Sequence, residues 1–236
     1  MKLIKDIRLF ESDVPNVEGN PFPLHDMGRL YQYDSLACLD VIQRLLFLLR
    51  NREFSFGKFD YLFLNFTPCI PHGKVHDSNR YELREAPKCY FVDIGCEVEL
   101  FNSWKELEKR AFVLAVIKEA VLLKAPADVQ QLFVDTFAEV IDKGAKLLIP
   151  YRMKENSDYI VEILFRIDEE PDFIPLIRVT GKDGAVVTEH TLRHYDRNEF
   201  ITQFSTITIG KHFLRITPRK HWYTDFYGVK PIKIEW

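Results

Sequence analysis

"YIVEILFRIDEEPDFIPLIRVTGKDGAVVTEHT", residues 159–191, carries the clearest backbone signal in the chain. Val161, Ile163, Phe165 and Ile167 recur at every second position, the period of a strand with one buried face. The acidic run Asp168-Glu169-Glu170-Pro171-Asp172 interrupts the pattern, the apolar run "FIPLIRV" resumes it, and Gly181-Lys182-Asp183-Gly184 turns the chain into "AVVTEHTL". Three strands joined by short connections predict an antiparallel meander. Downstream, "FITQFSTITI" and "HFLRIT" flank Gly210-Lys211, a two-residue connection suited to a hairpin, and "VKPIKIEW" supplies a last strand.

Upstream of residue 146 the periodicity changes to that of helices. Leu36, Leu39, Ile42, Leu45, Leu46 and Leu49 recur at helical spacing after a cap at Asp34 or Ser35, which leaves Asp40, Gln43 and Arg44 for the wet side. Ser103-Trp104-Lys105-Glu106 has the spacing of a capping box before a second helix whose middle is apolar nearly all round. A third helix follows Pro126, with Val129, Leu132, Phe133, Phe137, Val140 and Ile141 as one stripe and Gly144 as its stop. Strands are expected at 2–10, 59–66 and 88–100. The fold class is therefore α+β: a mixed αβ N-terminal region, 1–145, with three main helices, then a β-rich region, 146–236, that is mostly antiparallel meander. The two are expected either to stand apart or to pack as one continuous domain.

Composition narrows the function classes. The net charge of −3 argues against a dedicated nucleic-acid binder, which needs an excess of Lys and Arg to neutralise phosphates. The longest apolar helical stretch, "AFVLAVI" at 111–117, stops at Lys118 and Glu119, far short of the ~20 residues a membrane span requires. Lys2, Lys5, Asp6 and Arg8 break up the start of the chain, so no secretory leader is expected, and the location is expected to be cytoplasmic with the four cysteines reduced.

Chemistry-bearing residues gather most densely in 69–96. Cys69, His72 and His76 surround Pro71 and Gly73, where a loop can wrap ligands about zinc, although zinc spacings normally recur as two close pairs. Cys89 and Cys96 are an odd number of positions apart, so one strand would aim them to opposite faces, with Cys96 toward the core and Asp93, Glu97 and Glu99 outward on a solvated face. His190 and His194 are four apart in a strand-like stretch, ~13 Å, too far for one ion. Phosphate-cradling glycine loops and nucleophile elbows are missing as motifs. No catalytic residue, metal ligand set or cofactor is nominated.

Two stretches have the character of contact surfaces. Arg219, Trp222, Tyr223 and Tyr227, within "RITPRKHWYTDFYGVK", interleave cations with rings that anchor an interface or stack on bases, the alternative being rings that complete the core. Asp168, Glu169, Glu170 and Asp172 form an acidic turn of a kind that steers a basic partner. The expectation is a non-enzymatic protein-binding module, most concretely a bacterial immunity-type protein that neutralises a cognate toxin domain by direct binding, with nucleic acid disfavoured and no membrane. The alternative is a metal- or cysteine-dependent hydrolase or nucleic-acid-processing enzyme built on Cys69, His72, His76 and Asp77.

Overall fold

The computed structural model describes residues 3–15, 24–55, 57–78, 89–168 and 170–236, except for the side chains of Ser35 and Tyr223. It has six α-helices and twelve strands in three sheets among those residues, an α+β architecture whose C-terminal part is antiparallel and β-rich. The chain divides into two compact units, Met1–Asp142 and Lys143–Trp236.

The first unit runs β1 (Asp6–Glu11), β2 (His25–Asp26), α1 (Leu39–Asn51), β3 (Tyr61–Thr67), β4 (Val75–Asp77), β5 (Cys89–Gly95), α2 (Val98–Ser103), α3 (Glu106–Lys124) and α4 (Ala127–Lys143). Its sheet has the order β2-β1-β3-β5-β4, with β1, β3 and β5 parallel and the short β2 and β4 antiparallel at the edges. Strand parity sends Ile7, Leu9, Leu62, Leu64, Phe66, Val92 and Ile94 into the core. The carboxylate of Glu11, at the end of β1, is fully buried and accepts the backbone N–H groups of Gly28, Arg29, Leu30 and Tyr31 at 2.7–3.2 Å, which pins that loop to the sheet.

Several local expectations fail here for identifiable reasons. Asp40, Gln43 and Arg44 are buried rather than wet, because Asp40 accepts two bonds from Arg110 at 3.0 and 2.9 Å and pairs with Arg44 at 3.0 Å. A 3-10 turn at Ser35–Cys38 precedes α1 and shifts its phase, so Leu36 is exposed. The strand expected to reach residue 100 stops at Gly95, where a Cβ would lie 1.9 Å from the Pro71 carbonyl oxygen, and Val98 opens a helix. Asp93 is accordingly no partner of Glu97 and Glu99 on a solvated face: it is buried and accepts from Asn65 Nδ2 at 2.7 Å across β3 and β5. The capping box falls two residues later than expected, with the Lys105 N–H donating to Glu108 Oε2 at 2.8 Å, while the Ser103 hydroxyl bonds back to the Leu100 carbonyl and closes α2. The buried apolar positions of α3 form one stripe, Val113, Val116, Ile117, Ala120 and Val121, rather than an apolar girdle, and Lys109 is buried with them.

The second unit runs β6 (Ile149–Glu155), β7 (Tyr159–Ile167), β8 (Phe173–Gly181), β9 (Val186–Thr191), α5 (Arg197–Gln203), β10 (Thr206–Ile209), β11 (Phe213–Thr217), α6 (Trp222–Tyr227) and β12 (Ile232–Glu235). Strands β6 to β9 make the antiparallel meander and β10 to β12 a second antiparallel sheet. The strand expected over "FITQFSTITI" is half helix. Asp196 caps α5 by accepting the Glu199 N–H at 2.8 Å, and Phe200 on the helix and Phe204 at its C-cap are both fully buried. The rings of Phe165, Phe173 and Phe200 lie within 5.3 Å of one another, with Phe204 and Tyr151 flanking, and form the core of the unit. The free edge of β10 is blunted by side chains of β6: Arg152 donates to the Ser205 carbonyl at 2.6 Å and Lys154 to the Ile207 carbonyl at 2.7 Å.

Candidate functional site

The loop that gathers Cys69, His72 and His76 builds structure. Cys69 is exposed beyond β3 and its Sγ bonds to the Asp13 carbonyl at 3.3 Å. The His72 ring stacks on Phe112 at 5.3 Å and meets Trp104 edge-on, while its Nδ1 accepts the Glu97 N–H at 3.2 Å, so both the plane and one nitrogen are occupied by packing. His76 sits on β4 opposite Asp93, and Asp77 forms an ion pair with Lys124. Cys96 is fully buried, which pushes its thiol up to about 12, and burial raises Cys38 as well. Neither thiol is thereby suited to act as a thiolate. Residues 79–88 of the 69–96 stretch lie outside the described residues.

The aromatic segment before the last strand has a different fate. After β11 the chain is tied down at Arg219, whose N–H donates to the Thr202 carbonyl at 2.9 Å, and then forms α6. Thr224 is the inward side chain of this short helix: buried, its one hydroxyl hydrogen is shared by the carbonyls of Arg219 and His221 at 3.0 and 2.7 Å, and its oxygen accepts the His221 N–H at 3.0 Å. With Thr224 inward, helical spacing places Trp222 and Phe226, four apart, on an outer face. Trp222 is 67% exposed, Phe226 76% and Tyr227 61%, and the Phe226 and Tyr227 rings meet edge to face at 4.9 Å. Among the described side chains these are the only exposed aromatic rings; every other Phe, Tyr and Trp is buried or half-buried. Arg219, Lys220 and His221, also exposed, precede them directly. The rings do not complete the core, and Phe226 joins the residues that the sequence nominated as contacts. Of Tyr223 only the backbone, within α6, is described.

The acidic turn is less uniform than its sequence. Glu170 is exposed, Glu169 lies outside the described residues, and Asp168 and Asp172 turn toward His194, whose Nδ1 is 3.3 and 3.6 Å from their Oδ2 atoms. His190 stays apart from that group on β9, with its Nε2 2.9 Å from the Thr188 hydroxyl. The pairing of His194 with the aspartates was missed from sequence because they are more than twenty residues apart and meet only through the strand order.

No helix of the described residues is long and apolar enough to cross a membrane. No known protein family, curated protein or solved structure matches the chain.

Proposed function

We propose that the chain is a non-enzymatic protein-binding module, and that Trp222, Phe226 and Tyr227 with Arg219 are its contact surface. The observation that supports this reading is that, among the described side chains, the exposed aromatic rings are confined to one short helix anchored from behind by Thr224. Trp, Tyr and Arg are the residue types that dominate binding energy in interfaces, and contiguous exposed apolar patches on soluble proteins mark contact sites. The finer reading is that of an immunity-type protein that neutralises a cognate toxin by covering an essential surface. Of the residues of the enzyme alternative, Cys69 Sγ bonds to the Asp13 carbonyl, His72 Nδ1 accepts the Glu97 N–H and Asp77 pairs with Lys124, so among the described residues these are not assembled as nucleophile and base.

The test uses full-length protein as bait in native-source lysate, alongside a variant carrying Trp222→Ala, Phe226→Ala and Tyr227→Ala. The wild type should retain one stoichiometric partner, and direct titration should show Trp222→Ala alone weakening it about 30-fold, the cost of a hot-spot ring. For the immunity reading, that partner must be toxic when expressed alone and harmless when co-expressed with this chain. Retention of the partner by the folded triple variant would sink the proposed surface.

A further inference from the structure

We infer that the partner of the α6 surface presents an acidic face, with carboxylates set among apolar groups; this rests on the protein-binding reading above and names the chemistry that such a surface meets. Residues 211–236 carry six cations, Lys211, Arg215, Arg219, Lys220, Lys230 and Lys233, against two carboxylates, Asp225 and Glu235. That is a net +4 in a chain whose net charge is −3, so positive charge is concentrated here and the remainder is acidic. All six cations are solvent-exposed. Among the described residues only Lys233 is paired with a carboxylate, that of Glu235. The topology brings these charges to the rings. Helix α6 lies in the connection between β11 and β12, and the ladder of those two strands ends toward it with Ile216 opposite Ile232. One rung in, Arg215 stands opposite Lys233. Leu214, Ile216 and Ile234 are buried, so parity puts Arg215 and Lys233 on the outer face of the sheet. Arg219 and Lys220 lead into α6 and Lys230 follows it, so cations bracket Trp222, Phe226 and Tyr227 from both sides.

Two features tie this charge to contact rather than to folding. Like charges directly opposite on neighbouring strands destabilise a sheet, and Glu235 serves Lys233 on its own strand, which leaves Arg215 facing a cation with no carboxylate of its own. Folding alone favours a neutral or acidic side chain at 215. Exposed Arg beside exposed Trp and Tyr is, in turn, the composition of an interface hot spot, and uncompensated surface charge steers and orients a face of opposite sign. A nucleic acid fits less well. Asp225 within α6 and Glu235 on β12 place carboxylates among the cations, where a continuous phosphate chain would meet them, and the acidic remainder of the protein repels a polyanion.

The experiment follows the fluorescence anisotropy of labelled poly-L-glutamate, and of a DNA duplex of equal charge, as full-length protein is added at low salt and at ~1 M NaCl, where screening acts within about 3 Å. Wild type should bind poly-L-glutamate at low salt and release it at high salt. Arg215→Glu combined with Lys220→Glu should weaken binding about tenfold, since an exposed ion pair is worth a few-fold and two are reversed. Lys74→Glu, at an exposed cation of the first unit, should leave binding unchanged. Arg215→Glu alone faces Lys233 and should unfold at no lower a urea concentration than wild type. Absent binding, an equal loss in Lys74→Glu, a lower urea midpoint for Arg215→Glu, or a duplex bound more tightly than poly-L-glutamate would each overturn the inference, the last by assigning the surface to nucleic acid. Retention of the lysate partner separates this inference from the reading it rests on. A partner lost from the ring-stripped triple variant but held equally by wild type and the charge-reversed variant would keep the contact surface and reject its acidic partner; a partner held by the triple variant would reject the surface itself.

Discussion

Two groups of aromatic side chains in residues 143–236 share the same ring chemistry and meet opposite ends. Phe165, Phe173, Phe200 and Phe204 are fully buried in mutual contact, whereas Trp222, Phe226 and Tyr227 stand in solvent. Hydrophobicity does not separate them, since exposing such a ring forgoes about 1.5–3 kcal/mol. What separates them is the inward side chain of the element that carries them. On α5 the inward positions are Phe200 and Gln203, with Phe204 buried at its C-cap; on α6 the inward position is Thr224, whose hydroxyl makes its bonds to backbone. A polar anchor that fixes apolar rings outward is what a contact surface requires, because a preordered ring loses little further freedom on binding.

The largest expected effect lies on the buried side of this comparison. Phe200→Ala removes the ring that touches Tyr151, Phe165, Phe173 and Phe204, with centroids at 4.7–5.0 Å, and should cost about 3–5 kcal/mol in denaturant unfolding. A cost below about 1 kcal/mol would mean the cluster is not the core of this unit. A smaller effect is expected from Thr224→Val, which preserves shape and removes the anchoring bonds. Stability should fall by about 1 kcal/mol, and partner affinity should fall more than stability does, because α6 loses its fixed pose. Equal loss of both would show that the anchor serves folding alone.

Legibility in the sequence follows the same division. The meander of β7, β8 and β9 was readable because Val161, Ile163, Phe165 and Ile167 alternate and the intervening turns are rich in acidic residues and glycine. The three main helices were readable from apolar spacing. Helix α5 was not, since "FITQFSTITI" satisfies strand propensity and only the Asp196 cap, together with the spacing of Phe200 and Phe204, argues for helix. The burial of Asp40 and Arg44 depends on Arg110, seventy residues from Asp40, and no local pattern reveals it. Of the candidate contacts, the acidic and aromatic clusters were visible as composition. That Trp222 and Tyr227 face outward, and that Asp168 and Asp172 meet His194, depend on strand order and one buried hydroxyl, which sequence spacing does not encode.

The smallest expected effect is the one that bears hardest on the exposed side of the comparison. Replacing Trp222, Phe226 and Tyr227 together by Ala removes three large rings from a 28 kDa chain, yet each site should change unfolding free energy by no more than about 0.5 kcal/mol, as solvent-facing substitutions do. The sign is open to a slight gain, because Ala is a better helix former than any of the three by several tenths of a kcal/mol per residue. The edge-to-face contact of Phe226 with Tyr227 offsets part of that gain, and single variants measured beside the triple separate the two contributions by their failure to add. A triple variant that loses more than about 2 kcal/mol would show that the rings are packed in solution, and the contrast with Phe200 would collapse into one core of two parts. A stable triple variant leaves the rings without a folding role, the outcome that the proposed contact surface requires.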